Sequence, residues 1–235
     1  MRKLKNITLV AFGSTDVEGM YHALEHSKKG IEWGAVKLIT EIPCTTIDEW
    51  NKAIIFDLRR FIDTDYCMLI HPDGFVVHAE SWREDFLRYD YIGAPWPLPS
   101  DTYSYRTPDG EIIRVGNSVS IRSQKILNLP YELEFAWRPY FGNTNEDGFL
   151  TCHNRRLLQH FGAKFAPIEV AKWFSREMEI PENQDVENPF AFHLHDTQPG
   201  RNEKYKELIY GIWDIPSGIG AWQPTPSVRS YASVG

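Results

Sequence analysis

The N-terminal third of the chain switches repeatedly between two hydrophobic periods. Residues 7–12 (ITLVAF) are apolar without interruption, the pattern of a strand covered on both faces. Over residues 16–28, Val17, Met20, Tyr21 and Leu24 recur at intervals of three and four, which predicts an amphipathic helix. Residues 35–39 predict a second strand. Thr46 followed by Glu49 has the spacing of a capping box, and the helix it opens would turn Trp50, Ile54, Leu58 and Phe61 to one face. Residues 65–70 (DYCMLI) predict a third strand, stopped at His71-Pro72-Asp73-Gly74. This β-α-β-α-β order implies an α/β fold, a mixed and mostly parallel central sheet flanked by helices and joined by right-handed crossovers.

The second half is less regular. Residues 80–89 predict a short helix, and a Pro-rich loop follows at 95–99. Residues 100–111 (SDTYSYRTPDGE) read as an exposed loop or hairpin over the site. Residues 115–122 alternate Val115, Asn117, Val119 and Ile121 on one face, as a strand does, and Ser123 can cap a following helix. Residues 146–161 predict another helix, with Phe149, Leu157 and Phe161 inward and Gly162 as its stop. From about residue 198 the chain is polar, then rich in Gly, Pro, Trp and Ser. The expected division is therefore one domain over 1–197 and a peripheral tail over 198–235.

Composition narrows the function classes. A formal charge of -7 leaves no basic excess to neutralise phosphates, so nucleic acid is not an expected partner. Cys44, Cys67 and Cys152 are widely spaced with no CxxC pair, which argues against a disulfide scaffold or structural zinc site. Free thiols fit a reducing compartment, and the expected location is cytoplasmic. The opening MRKLKNITLVAF carries only about six apolar residues before Gly13, short for a signal peptide. No stretch approaches the roughly 20 apolar residues of a membrane span.

The strand order gives the turn at 71–74 its interest. In open α/β sheets, ligands bind beyond the carboxyl ends of the strands. Gly13, Ser14 and Thr15 follow the first strand and Asp73 follows the third, so both groups fall on one edge. Small residues there admit close backbone approach, and the next helix offers unpaired N–H groups to an anion. Neither GxGxxG nor GxxxxGK[ST] is present, which disfavours a Rossmann site and a P-loop. On these residues alone the plainer reading of Asp73 prevails, a turn former between a proline and a glycine.

Four stretches change that balance: HPDG (71–74), GNSVSIRS (116–123), NEDGF (145–149) and PFAFHLH (189–195). Together they resemble the nucleotide-sugar-dependent glycosyltransferases of the GT-A fold. The set is most similar to a poorly characterised bacterial branch that shares DGF, YDYIGAPW, GN with S-x-RS, and an acidic pair before a helix. The most specific piece is DGFVVHAESWREDFLRYDYIGAPW, residues 73–96, and the resemblance runs from about 5 to 195.

The resemblance implies a nucleotide-diphosphate sugar as donor, a glycan or other hydroxyl acceptor, and a divalent cation, Mn²⁺ or Mg²⁺. It implies transfer with inversion, in glycan synthesis at the cell surface or elsewhere. Asp73 would hold the cation, although His71 stands where these enzymes usually carry a first Asp. His193 would be the second ligand, with His195 on the same strand face as its rival. The donor would meet Phe12, Gly13, Ser14, Thr15, His71, Asp73 and Gly74. Asp147 would be the general base with Glu146 as partner, and Gly116, Asn117 and Trp96 would face sugar or acceptor. Each has a plainer reading: a helix-stabilising acid pair, a strand bulge, a core tryptophan. A metal-dependent phosphodiesterase or nucleotidyltransferase, and a non-catalytic sugar-binding relative, remain the alternatives.

Overall fold

The apolar run near the N-terminus is buried on both faces, as its pattern predicts, because it lies inside a sheet with helices on either side. The computed structural model describes residues 1–138, 145–194 and 203–209. β1 (Arg2–Phe12) is followed by α1 (Val17–Ser27), β2 (Ile31–Ile39), α2 (Ile47–Phe56) and β3 (Tyr66–Ile70). β4 (Tyr91–Ile92) and β5 (Ser120–Ser123) complete a mixed five-stranded sheet of order β2-β1-β3-β5-β4. The three predicted strands are its parallel part, and β5 runs antiparallel to both β3 and β4.

Alternate residues of β1 divide between two layers. Leu9 and Ala11 join Met20, Ala23 and Leu24 of α1, whereas Val10 and Phe12 join Trp50, Ala53 and Ile54 of α2. The α1 stripe differs from the expected one: Met20 and Leu24 are buried, but Val17 and Tyr21 are exposed. Small residues, Gly19, Ala23 and Ser27, are buried instead, and a Cβ on Gly19 would lie 2.5 Å from the Asp16 carboxylate that caps the helix. On α2 the capping box is present, with Thr46 Oγ1 accepting from the Glu49 N–H at 3.2 Å and Glu49 accepting from the Thr46 N–H.

The segment expected as a helix over 80–89 is instead two 3₁₀ turns, Ala79–Ser81 and Glu84–Arg88. Extended Trp82 separates them, because its ring enters an aromatic cluster with Phe86 and Phe190. The strand expected over 115–122 is regular only in β5. Asn117 takes a left-handed φ of 82°, which ends the extended run before it.

α3 (Gln124–Glu132) follows β5, capped by Ser123 as expected. Beyond it, the helix expected over 146–161 is broken. α4 (Glu146–Gly148) passes into a π-turn, Phe149–His153, and then α5 (Arg155–His160). The turn is closed by the Asn154 N–H donating to the Phe149 carbonyl at 3.1 Å. One extra residue in a turn rotates the downstream helix by about 100°. Leu158 is therefore the buried residue of α5, and Leu157 and Phe161 are exposed.

α6 (Ile168–Phe174) leads into β6 (Ser175–Arg176), which pairs in parallel with β7 (Ala191–Phe192). Part of the expected tail is not peripheral: α7 (Glu203–Lys206) and its exit place Tyr205 and Ile209 in the core with Phe75 and Phe192. The remainder of 198–235, and His195, lie outside the described residues. Cys44, Cys67 and Cys152 are free and buried. Among the described residues, no helix is long and apolar enough to cross a membrane.

Candidate metal centre

β3 ends at His71, and the next residues close a tight turn. The His71 N–H donates to the Gly74 carbonyl at 2.7 Å, and the Gly74 N–H returns to the His71 carbonyl at 3.2 Å. Pro72 and Asp73 therefore stand at the turn's tip, beyond the sheet edge. β7 reaches the same place from the C-terminal side. The Phe192 N–H donates to the Phe75 carbonyl at 3.1 Å and the Leu194 N–H to the Asp73 carbonyl at 2.8 Å. His193 between them is laid against the turn. A Cβ on Gly74 would lie 2.7 Å from His193 Cδ2 and 2.6 Å from Val119 Cγ2, so only glycine leaves room for the imidazole.

His71, Asp73 and His193 bring one ligand atom each to within 4.8 Å of one another. His193 Nε2 lies 3.6 Å from Asp73 Oδ1, and the two imidazole rings are 5.2 Å apart. Ligands bound at about 2.1 Å to one small cation stand roughly 3 Å apart when cis and 4.2 Å when trans. The group fits that spacing with small adjustments. His71 adds a second sign: its Nε2 is buried without a hydrogen-bond partner. Trp50 fixes the ring from behind, 5.1 Å away, while its own Nε1–H donates to the Phe12 carbonyl at 2.7 Å. This His-Asp-His group can hold a metal ion.

Electrostatics leave His71 and Asp73 ready for a cation, whereas His193 must give up a proton to join them. Burial, with His193 nearby, depresses His71 to about 3, so its nitrogen keeps a lone pair at neutral pH. Burial alone would raise Asp73, but His193 and His71 hold it below the usual carboxylate range. His193 shows the opposite balance: burial opposes its charge, yet Asp73, Glu177 and Asp147 lift it to about 9. Asp147 is raised to about 7, first by burial and then by the charge of Glu146. It lies within electrostatic range of Glu177 and His193.

A family model described as "protein of unknown function (DUF5672)" matches residues 41–193, ending on the third member of the group. The chain belongs to that family. No curated protein matches it. A solved structure titled "Crystal Structure of A197 from STIV" is similar over 70% of this chain and 80% of that one, at 15% identity. Its TM-score of 0.31 is too low to bear on the fold.

In this DUF5672 member the other expected site residues separate into two groups. Asn117 joins the centre, its Nδ2 3.0 Å from His193 Nδ1. Asp16, which was not among the expected residues, stands at the start of α1, where it accepts from the Gly19 N–H at 3.2 Å and feels the charge of Asp73. Others are occupied elsewhere. The Phe12 side chain is buried in the α2 layer. The Ser14 hydroxyl donates to the Cys44 carbonyl at 3.0 Å and accepts from its N–H at 2.9 Å. Gly13 N–H donates to the Ile39 carbonyl at 3.0 Å, and Thr15 is half-buried beyond it.

Trp96 is buried and stacked on Tyr105, with Gly116 beneath it; a Cβ on Gly116 would lie 1.9 Å from the indole. That glycine makes room for a tryptophan rather than a sugar. Glu146, expected beside Asp147, turns into the core, where its Oε1 accepts from Arg122 Nη2 at 2.6 Å and Ser118 Oγ at 2.8 Å. Its charge reaches Asp147 only through space. Glu177 had no signal in the sequence. It becomes part of the site through the pairing of two very short strands, which no periodicity announces.

Proposed function

We propose that this protein is a glycosyltransferase of GT-A-like fold. It would move a sugar from a nucleotide-diphosphate sugar to an acceptor hydroxyl, with inversion and with help from Mn²⁺ or Mg²⁺. The observation that carries the reading is the convergence of His71, Asp73 and His193 at the carboxyl edge of parallel strands, with Asp147 in electrostatic range. That edge is where α/β sheets bind ligands. A cation there supplies charge compensation to the departing diphosphate, which matters more in the transition state than in the ground state.

The chain's own groups take the remaining roles. Asp73, His71 and His193 fix the diphosphate end of the donor. Asp147, with a proton affinity matched to neutral pH, accepts the acceptor's proton as its oxygen attacks. Glu146 and Arg122 anchor the backbone that carries Asp147. Among the described residues there is one group with metal-ligand spacing, which suits a single-cation clamp better than a two-metal phosphodiesterase.

Thermal shifts with UDP-, GDP- and dTDP-sugars, each with and without Mn²⁺, test the reading, because a ligand of the native state raises its melting temperature. A Mn²⁺-dependent shift with one nucleotide class is expected, and Asp73→Asn should abolish it. Absence of a shift for all three, or an undiminished shift in Asp73→Asn, overturns the proposal. Product configuration by NMR then decides inversion.

A further inference from the structure

His193 meets two opposite neighbours at Nδ1. Asn117 Nδ2, an amide donor, lies 3.0 Å away, and Glu177 Oε1, a carboxylate acceptor, lies 3.8 Å away. The amide cannot simply turn over. Asn117 Oδ1 accepts the Val119 N–H at 2.9 Å, and the residue is buried with its carbonyl held by the Tyr91 hydroxyl at 2.5 Å. Nδ2 is therefore left facing the ring. An imidazole that accepts from Asn117 has its lone pair on Nδ1 and its proton on Nε2, the nitrogen 3.6 Å from Asp73. In that tautomer Nε2 has nothing to offer a cation.

A ligating Nε2 requires the proton on Nδ1, where a donor amide is the wrong partner and a carboxylate the right one. We infer that Glu177 is the positioning residue of the metal centre: when a cation occupies Nε2, the ring proton sits on Nδ1 and Glu177 accepts it in place of the Asn117 contact. The inference rests on the metal reading and adds the residue that makes His193 a ligand.

The fold explains why Glu177 is there. β6 and β7 pair in parallel with Ser175 opposite Ala191 and Arg176 opposite Phe192. One step further along the same register puts Glu177 opposite His193, and the His193 N–H donates to the Arg176 carbonyl at 3.0 Å. The β7 segment is thus clamped between the Asp73 turn on one side and Glu177 on the other. Glu177 is 7% exposed, so little water screens its charge from the ring. Carboxylates that accept from a metal-bound histidine typically contribute 10–100-fold in metal affinity.

The test is calorimetric Mn²⁺ binding by wild type and Glu177→Gln, together with the imidazole ¹H–¹⁵N spectra of both proteins loaded with Zn²⁺. Glu177→Gln keeps the side-chain volume and removes the charge, and it should weaken Mn²⁺ by about 10–100-fold. With Zn²⁺ bound, the His193 Nδ1–H proton should lie downfield in wild type and move upfield in Glu177→Gln, a shift that a glutamate without contact to the ring would not produce. Equal Mn²⁺ affinity in the two proteins, or an Nδ1–H signal that does not move on Glu177→Gln, overturns the role of Glu177 while leaving the metal centre standing. A wild type that binds neither ion at millimolar concentration overturns the metal reading, and this inference with it.

Discussion

Gly74 carries no side chain because His193 occupies the space that a Cβ would need. Gly74→Ala should therefore push the imidazole away from Asp73 and weaken Mn²⁺ binding by at least tenfold. Overpacking of this kind costs about 1–3 kcal/mol, so denaturant titration should register a modest loss of stability alongside the binding defect. Retained affinity would mean that β7 can shift to absorb a methyl group. Asp147 invites a pH experiment. Its pKa of about 7 lies above the ordinary 3.8, so between those values the native state holds a proton that the unfolded chain has released. Native stability therefore falls as pH rises through that window. In metal-free protein, Asp147→Asn should melt higher than wild type at pH 8 and lose the advantage near pH 4. As general base, Asp147 should give kcat/KM an acid limb near pH 7, and the Asn variant should lose about 10²–10⁴ in turnover. An identical pH–stability profile for the two proteins would rule out the raised pKa.

β5 and α4 are joined by a buried ion pair, Arg122 with Glu146, both fully inaccessible. Removing one partner of such a pair leaves an uncompensated charge and typically costs about 3–5 kcal/mol. Glu146→Ala should lose stability on that scale in urea, and Arg122→Met with Glu146→Leu together should recover much of it. Full stability of the single variant would show that Arg122 finds another partner or water once Glu146 is gone. The elements themselves were unevenly legible in the sequence. β1 and β3 were readable because a strand buried on both faces writes an unbroken apolar run, and α2 because its capping box is local chemistry; β2, an edge strand with Val36 exposed, was readable only over 35–39. The π-turn at 149–153 was not, since its one-residue insertion shows only as Leu158 replacing Leu157 on the inner face. β6 and β7, two residues each, carry no period at all. The site inherits this asymmetry: HPDG stands out at the end of a strong strand, whereas Glu177 depends on a pairing visible only in three dimensions.

At the scale of the whole molecule, the core is closed by a segment that composition marks as a tail. Tyr205 is 3% exposed, and its ring lies 4.8 Å from that of Phe192, one residue before His193. Tyr205→Ala should cost about 3–5 kcal/mol, as deletion of a buried aromatic does, and loosen the segment that carries the histidine. Calorimetric melting of the variant, with and without Mn²⁺, checks both effects; an unchanged melting temperature would make the 203–209 contact incidental. The spacing of the candidate metal ligands along the chain has one more consequence. His71 and Asp73 leave the ribosome together, but the third ligand follows 120 residues later (193 − 73). A nascent chain stalled before that point displays two ligands and no cage, so it should have little hold on a cation during synthesis. Capture then belongs to the finished fold, and a cation present at about 100 times its dissociation constant would deepen the native basin by roughly 2.7 kcal/mol. Its arrival would serve as the chain's own certificate of completion.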